Sequence, residues 1–534
     1  MAATLEAPPL EAADDPADPA GRRGRAPGRV YPPMPADRVG GWVATVVVTL
    51  VAAVVRLWGI GFPPGKQFDE LYYATEGAEM LRQGYENNPG YMFIVHPPLG
   101  KWLIAGGVAL FGDQPVGWRV PSAIAGSLCV LILVRTVRRM TRSTLLGAVA
   151  GVLLAADGLS IVQSRFALLD IFLALFVLAG FSCLVADRDQ VRSRLAAGRP
   201  VGFRGWRLAG GVSLGLSCGV KWSGIWFLAA FAVLSVAWDL AARRAAGAIG
   251  AAGADGHGAA GADGHGAAGA NGHGAAGANG HGAARPVAIT AARDLPGAVV
   301  ALGVAPVLAY LATWTGWFLG ENSYARHWAD ANAGFWSWLP GPIRSLLHYH
   351  GEMWRFHSKL SSPHDYQSSP WGWLVTGRPV LFYYPSKPSP TGCGAASCVR
   401  TVLDVGTPAL WWAFAPAVLW AAWIAVARRD WRGWAVLTAF GAGWLTWFTI
   451  PGRTMFIFYM TPLVPFLVIG VTLVLGAVLG PARASETRRL VGLVAVCGYV
   501  ALVLVNSAWL WPILSGQLIT YQEWRARIWF PSWI

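Results

Sequence analysis

Long apolar runs alternate with short basic loops along most of this chain, from about residue 42 to residue 511. Most of the runs approach 20 residues, about the length that a helix needs to cross the hydrocarbon core of a bilayer. The pattern therefore predicts an all-α polytopic membrane protein. Eleven spans are expected, at about 42–61, 117–137, 144–163, 166–186, two within 207–241, then 297–318, 407–427, 433–450, 456–479 and 490–511.

One further apolar segment, residues 97–112, is ambiguous because it is shorter than a full crossing requires. If this segment crossed the membrane, the basic residues from Arg135 to Arg142 and every later basic loop would lie outside. Lys and Arg prefer cytoplasmic loops. We therefore predict an external interfacial helix at 97–112, and a tight hairpin within 207–241 with Lys221 at its external bend.

The same charge rule orients the chain with its amino terminus inside and its carboxyl terminus outside. Residues 1–40 are rich in Ala, Pro and Asp and lack an apolar core, so we expect a disordered cytoplasmic tail. Residues 41–534 form the transmembrane domain. Its expected parts are a first external loop (62–116), a low-complexity cytoplasmic linker (242–296), a large external loop (320–406) and carboxy-terminal helices (407–511).

The composition agrees with a membrane protein. The chain has 534 residues, of which 54% are hydrophobic and only 13% charged, and its mean hydropathy is +0.43. The net charge of +14 raises the question of nucleic-acid binding. However, the arginines occur in short runs between apolar segments, as in the cytoplasmic loops of membrane proteins. We therefore predict contact with membrane lipids and no nucleic-acid partner.

Two local patterns allow more than one interpretation. Residues 253–284 repeat an eight-residue unit, GADGHGAA twice and GANGHGAA twice. Its four histidines are either metal ligands or part of a flexible linker, and the linker is favoured because nothing sets a coordination geometry. Cys393 and Cys398 lie in a polar external segment and are expected to form a local disulfide.

The adjacent carboxylates Asp69 and Glu70 directly follow the first apolar run, and acids beside a bilayer are costly and usually functional. A short amphipathic helix is predicted after them, with Leu71, Ala74, Ala78 and Leu81 on one face and Glu76, Glu79, Arg82 and Gln83 on the other. Asp69 is interpreted as a base for an incoming nucleophile, or alternatively as the N-cap of this helix.

Five cations are predicted near the external ends of their spans. Such residues often only reach toward lipid headgroups. Together, beside a carboxylate pair, they suit the binding of a lipid-linked phosphate that leaves during a reaction. The candidate phosphate ligands are Lys101, Arg119, Arg165, Lys221 and Arg453.

Several motifs, in order along the chain, resemble those of the bacterial, actinobacterial-type protein O-mannosyltransferases. They are FDELYYATEG, VHPPLGKWLIA, GWRVPSAIAG, SRFALLD, LGLSCGVKWSG, HSKLSSPHDYQSSPWGWLVTGRPVLFYY and GRTMFIFYMTPLVPF. The Asp-Glu pair alone is common among membrane glycosyltransferases of the GT-C class, whereas HPPLGK, SRxxLLD and YQSxPWxW are more specific. The large external loop has no room for the β-trefoil module of eukaryotic relatives.

The resemblance implies a GT-C fold and an inverting transfer of mannose from polyprenyl-phosphate-mannose to Ser or Thr hydroxyls of proteins at the outer face. Acceptors in Sec translocation are expected partners, and no cofactor or metal is expected. By position, Asp69 matches the family's proposed catalytic base, and Glu70 matches the neighbouring acid of the catalytic pair, which is needed for acceptor or donor binding. Arg119 matches a functionally important arginine of the second span. Further donor- or acceptor-binding candidates are His96, Asp170, Trp222, Tyr366, Gln367, Trp371 and Trp373.

Three points stay open from the sequence. Trp371 and Trp373 either hold the large loop against the membrane core near the acceptor or act as interfacial anchors. His348, His350, His357 and His364 have spacings that fit no common metal site. A GT-C enzyme with a lipid or glycan acceptor, and a transporter, are the alternative functions, although the chain shows no internal repeat of the kind expected for a transporter.

Overall fold

The computed structural model of the chain describes residues 32–87, 95–258, 286–332, 334, 336–385, 390–481 and 484–534, with the side chains of 248–258 excepted. The first half of the chain contains α1 (Arg38–Leu57), α2 (Glu70–Gln83), α3 (Leu99–Phe111), α4 (Pro115–Thr141), α5 (Thr144–Ala155), α6 (Gly158–Gln163), α7 (Asp170–Ala196), α8 (Gly205–Val220) and α9 (Gly224–Gly258). Most of the predicted tail, 1–31, and most of the repeat, 259–284, lie outside this description.

The second half contains α10 (Pro286–Thr313), α11 (Thr315–Leu319), α12 (Gly341–Lys359), α13 (Pro408–Val426), α14 (Trp431–Gly443), α15 (Val464–Leu479), α16 (Glu486–Ser515) and α17 (Tyr521–Arg527). Four short strands accompany the predicted helices. They are β1 (Val380–Tyr383), β2 (Cys398–Arg400), β3 (Val402–Asp404) and β4 (Leu518–Thr520). Strand β1 pairs antiparallel with β3, and β2 with β4, so the large loop and the chain end carry two small sheets.

Seven helices in the described part of the chain are long and apolar enough to cross a membrane, judged by length and composition: α1, α4, α7, α9, α10, α13 and α16. The other four predicted spans coincide with shorter helices. The third is interrupted by Asp157, whose side chain accepts a hydrogen bond from the backbone N–H of Ser160 at 2.8 Å and so begins α6. The chain is therefore a multi-span membrane protein with the predicted order of helices.

Helix α7 is at the centre of the bundle and packs against α4, α8 and α9. Close approach to α8 depends on Gly180, because a β-carbon there would lie 2.7 Å from Leu214. Phe181 of α7 contacts the rings of Phe231 and Phe466 from two other helices. The residue that begins α7, Asp170, lies at the end of the bundle where α2 and the large loop meet.

The opposite ends of α7, α8, α9 and α10 are joined by buried ion pairs. Arg204 pairs with Asp187 and lies 2.8 Å from Asp239, and Arg207 also pairs with Asp239. Arg243 of α9 pairs with Asp294 of α10 at 2.9 Å. These contacts hold the helices together on both sides of the repeat.

Helix α2 differs from the predicted amphipathic helix. Ala74 and Ala78 are buried as expected, but Leu71 and Leu81 are exposed and Glu76 is buried. The reason is that Lys101 of α3 lies 2.8 Å from Glu76. A partner from another helix therefore turns a supposed solvent-facing acid toward the interior.

Candidate active site

The turn that carries Asp69 is strained and tightly packed. Phe68, directly before it, has a φ of 50°, a left-handed conformation that residues other than glycine rarely adopt. Its ring contacts Phe382, Phe456 and Phe458, with centroids 5.1–5.8 Å away. The aromatic contacts hold the turn in this conformation and thereby set the direction of the next side chain.

Asp69 precedes α2 at the N-cap position, yet its side chain makes no capping hydrogen bond. Instead, the hydroxyl of Tyr73, one turn later and almost fully buried, donates to Asp69 Oδ2 at 3.3 Å. Burial raises the pKa of Asp69 to about 6, Lys221 opposes that rise and Asp170 adds to it. The carboxylate is half-buried, so it combines limited accessibility with a raised affinity for protons, as a general base requires.

Glu70 faces the interior and is fully enclosed. Its carboxylate accepts two hydrogen bonds from Arg119, both at 2.8 Å, one from the N–H of Ala167 at 2.8 Å and one from the N–H of Gln67 at 3.0 Å. A carboxylate with four donors and no exposed surface has no room for a substrate. These contacts anchor the turn that carries Asp69, and a catalytic role for Glu70 stays a prediction.

Arg119 is likewise occupied. Its guanidinium uses all five N–H donors, two on Glu70 and three on the carbonyl oxygens of Ile60, Pro63 and Gly65. Arg119 is completely buried. Its five donors thus all have partners within the protein, so phosphate binding by Arg119 would require some of these bonds to be replaced and stays a prediction.

Two further predicted phosphate ligands also have partners within the protein. Arg165 donates to the carbonyl oxygens of Val55, Arg56, Trp58 and Gly59, so it caps the end of α1. Lys101 is completely buried and pairs with both Glu76 and Glu86. Both cations therefore contact groups of neighbouring elements, and their role as phosphate ligands stays a prediction.

Lys221 and Trp222 lie at the bend between α8 and α9, as the hairpin prediction required. The Lys221 ammonium pairs with Asp170 at 2.7 Å and lies 5.6 Å from the ring centre of Tyr459. Lys221 keeps only 6% of its surface. Trp222 donates its indole N–H to the hydroxyl of Tyr310 at 3.1 Å, which fixes the bend against α10.

Arg453 reaches the same region from the segment between α14 and α15. Its Nη1 donates to the carbonyl oxygen of His357 at 2.6 Å and lies 3.3 Å from that residue's Nδ1. His357 Nε2 lies 2.5 Å from the carbonyl oxygen of Val95, so this nitrogen is the donor and Nδ1 is the acceptor. Burial, followed by Arg453, lowers the pKa of His357 to about 4, which favours this neutral form.

His96 follows Val95 and lies between these groups, with its ring 5.2 Å from that of His357 and 6.0 Å from that of Tyr73. Burial lowers the pKa of His96 well below its usual value, and Lys221 adds to the effect. Among the described residues, neither His96 Nδ1 nor Arg453 Nε has a hydrogen-bond partner, and both atoms are buried. Together with Lys221 they form a positively polarised region near Asp69.

The large loop reaches this region through its aromatic residues. Trp373 is fully buried, donates to Ser368 at 2.9 Å and contacts the ring of Trp447 at 6.2 Å. Trp371 is 75% exposed and lies 4.5 Å from the ring of Phe448. The neighbouring tryptophans thus differ, since Trp373 secures the loop and Trp371 presents an open surface.

The other predicted loop residues lie beside this contact. Gln367 and His364 exchange hydrogen bonds, from Gln367 N to His364 O at 2.9 Å and from His364 N to Gln367 Oε1 at 3.3 Å. Tyr366 lies under the guanidinium of Arg378, whose Cζ is 5.4 Å from the centre of the Tyr366 ring.

Cys393 and Cys398 are joined by a disulfide with 5.8 Å between their Cα atoms. No group of metal-ligating side chains forms a candidate site within the described residues.

Comparison with known proteins places this arrangement in a family. A family model described as dolichyl-phosphate-mannose-protein mannosyltransferase matches residues 46–249, and one for the C-terminal four-transmembrane region of protein O-mannosyltransferase matches 342–533. The polyprenol-phosphate-mannose–protein mannosyltransferase of Mycobacterium tuberculosis is 42% identical over 522 residues, 93% of each chain. This chain belongs to the protein O-mannosyltransferase family.

Other relatives agree with this membership. The corresponding enzyme of Corynebacterium glutamicum is 34% identical and is covered over 92% of its length. The Saccharomyces cerevisiae protein O-mannosyltransferase Pmt1–Pmt2 complex bound to the sugar donor has a TM-score of 0.66 over 93% of each chain, at 14% identity. At this low identity, the similarity to the Pmt1–Pmt2 structure shows a shared fold. The predictions of a GT-C membrane fold and of a protein O-mannosyltransferase are confirmed.

Sequence reasoning about this O-mannosyltransferase missed two residues of the site. Tyr73 is visible only as the residue one helical turn after Asp69, a spacing that brings two side chains together. His357 was considered only as a member of a histidine series. Its contacts with Val95 and Arg453 join three segments that are far apart in the chain, and no local pattern indicates them.

Proposed function

We propose that this protein transfers mannose from polyprenyl-phosphate-mannose to Ser or Thr hydroxyls of secreted or membrane proteins, with inversion at the anomeric carbon and without a cofactor. The observation that carries the proposal is the pairing of the half-buried base Asp69 with a cationic region formed by Lys221 and Arg453. Membership of the family supports both substrates, because the named relatives use polyprenol-phosphate-mannose and modify proteins.

The proposed reaction is a single displacement. The acceptor oxygen bonds to the anomeric carbon while the bond from that carbon to the phosphate oxygen breaks. The hydroxyl proton passes to Asp69, and the phosphate leaves with the bonding electrons. Lys221 and Arg453 stabilise its growing negative charge, and His96 contributes a further polar group beside them.

The proposed orientation follows from the charge distribution of the loops. We place the amino terminus and the 242–296 linker in the cytoplasm, and Asp69, the 320–406 loop and the carboxyl terminus outside. The acceptor would then be a polypeptide that emerges at the outer face, including proteins in Sec translocation. Because Trp371 is exposed beside the buried Trp373, we propose that Trp371 contacts the acceptor.

Reconstituted protein in lipid vesicles tests the function directly. We expect transfer of labelled mannose from polyprenyl-phosphate-mannose to a Ser/Thr-containing peptide, with the opposite anomeric configuration in the product. A peptide with alanine at each hydroxyl position is the matched control. Transfer to lipid or glycan with none to peptide would instead support the alternative acceptor class, and a retained configuration would exclude the single displacement.

A further inference from the structure

A buried acid outside the proposed reaction lies close behind the candidate site. Asp404 ends β3, Gln163 ends α6, and neither has any exposed surface. Gln163 Nε2 donates to Asp404 Oδ2 at 2.6 Å. Within the described residues, no cation is among the groups that act on this carboxyl.

Two oxygen atoms of this pair have no hydrogen-bond partner in the part of the chain that the structure describes. They are Asp404 Oδ1 and Gln163 Oε1, and both are fully buried. If Asp404 were ionised, both atoms would be acceptors without a donor, and a buried negative charge would have no counterion, which is strongly unfavourable. A proton on Asp404 Oδ1 supplies the missing donor.

The electrostatic surroundings agree with this assignment. Burial raises the pKa of Asp404 well above its usual value, and the negative charges of Asp157 and Asp170 add to the effect. The bond to Gln163 acts in the opposite direction but comes from a neutral group. Asp157 is itself held by hydrogen bonds from Trp411 and from the backbone of Ser160 and Thr407.

The pair joins the two structures that support Asp69. On one side, β3 pairs with β1, in which Phe382 stacks on Phe68, the residue before Asp69, at 5.1 Å. On the other side, α6 leads into the segment whose Ala167 N–H donates to Glu70 at 2.8 Å. A change in the spacing of α6 and β3 would therefore move both supports relative to each other.

We propose that Asp404 is a protonated carboxylic acid that forms two hydrogen bonds with Gln163, and that this acid–amide pair is a positioning element for Asp69. Oδ1–H donates to Gln163 Oε1, and Gln163 Nε2–H donates to Oδ2. The positioning role rests on the proposed function of Asp69. The protonation state does not, so the two parts are tested by different measurements.

Infrared spectroscopy of the full-length protein tests the protonation state. We expect the difference spectrum between wild type and Asp404→Asn to contain the carbonyl band of a protonated carboxylic acid at neutral pH. Deuterium exchange should shift that band. A difference spectrum with carboxylate bands instead would overturn the proposal, whether or not the protein transfers mannose.

Conservative variants test the positioning role. Asp404→Asn replaces one neutral hydrogen-bonding group by another, so transfer to a Ser/Thr peptide should stay within about threefold of wild type, whereas Asp404→Ala should lose about 10- to 100-fold in kcat. The exchanged pair Gln163→Glu/Asp404→Asn should restore most of the activity lost in Asp404→Ala. If Asp404→Ala does not fold, the exchanged pair and Asp404→Asn remain decisive: a tenfold or larger loss in Asp404→Asn, in folded protein, would overturn the neutral pair.

Discussion

Glu70 and Arg119 form a bidentate ion pair in which two guanidinium nitrogens each lie 2.8 Å from a carboxylate oxygen, and neither side chain has any exposed surface. The pair connects the start of α2 to α4. Because successive residues at a helix start point in different directions, Glu70 faces inward while Asp69 remains half-buried at the site. We therefore propose that the two adjacent acids have different tasks, one structural and one chemical.

We predict that Glu70→Gln destabilises the protein. Removing the charge from one side of a buried ion pair leaves Arg119 without a counterion, which costs about 3–5 kcal/mol. Thermal unfolding in detergent should show a clear decrease in Tm. The double variant Glu70→Gln/Arg119→Gln is the control and should be destabilised by less than the two single changes together. A wild-type Tm for Glu70→Gln combined with lost activity would instead favour a catalytic Glu70.

We predict that Asp69→Asn abolishes mannosyl transfer without loss of stability. Asparagine keeps the shape of the side chain but does not accept the hydroxyl proton, and general-base catalysis contributes about 10²- to 10⁴-fold. Donor binding should remain near wild type, because the phosphate contacts are made by other residues. Turnover near wild type in folded Asp69→Asn would show that another group is the base.

We predict that kcat/KM rises with pH through about 6, because Asp69 must be ionised to act as a base and burial raises its pKa to about 6. Tyr73→Phe should move this rise to higher pH, since the Tyr73 hydrogen bond favours the charged carboxylate. Tyr72→Phe is the control for loss of a phenol from the same helix. An unchanged pH profile in Tyr73→Phe would mean that its hydroxyl does not act on Asp69.

The same raised pKa has a consequence for stability. Between the usual pKa of 3.8 and about 6, folded Asp69 binds protons more tightly than the unfolded chain does. Its contribution to folding is therefore favourable at low pH and is lost as the pH rises through this window. Asp69→Asn should reduce that part of the pH dependence of Tm, which a thermal unfolding series from pH 4 to 7 would measure.

We predict that the cations separate into two groups by their effect on the donor. Lys221→Gln and Arg453→Gln should raise the donor KM and lower kcat, because phosphate is charged in the bound donor and in the leaving group. Lys101→Gln should mainly lower Tm, because that ammonium already pairs with Glu76 and Glu86. Measuring the donor KM and the Tm of each variant distinguishes the two groups. A selective donor defect in folded Lys101→Gln would contradict this division.

We predict that deletion of Gly253–Ala284 leaves mannosyl transfer largely intact. The ion pairs of Arg204 with Asp239 and of Arg243 with Asp294 join α8, α9 and α10 next to the repeat. The helices therefore have contacts of their own that do not depend on the deleted residues. Transfer rates normalised to the amount of membrane protein are the measurement, and replacement of the segment by a Gly/Ser linker of equal length is the control. A large loss in both would indicate a binding role for the repeat.

The amino-acid sequence by itself determined the helical membrane architecture, the bend at Lys221 and the position of Asp69 after the first span. These features depend on local properties, namely the length of apolar runs and the residues that interrupt them. The motifs were also sufficient to indicate the family. None of this required knowledge of which distant segments touch.

Only the tertiary structure decided which partners the charged residues have. Five cations looked equivalent along the chain, yet Arg119 is enclosed with Glu70 and Lys101 with Glu76 and Glu86. Arg165 donates a hydrogen bond to the carbonyl oxygen of Trp58 at the end of α1. The physical reason is that a buried charge must find partners, and those partners come from helices whose packing no local pattern specifies. The same holds for Asp404 and Gln163, which lie 241 positions apart and meet only in the folded protein.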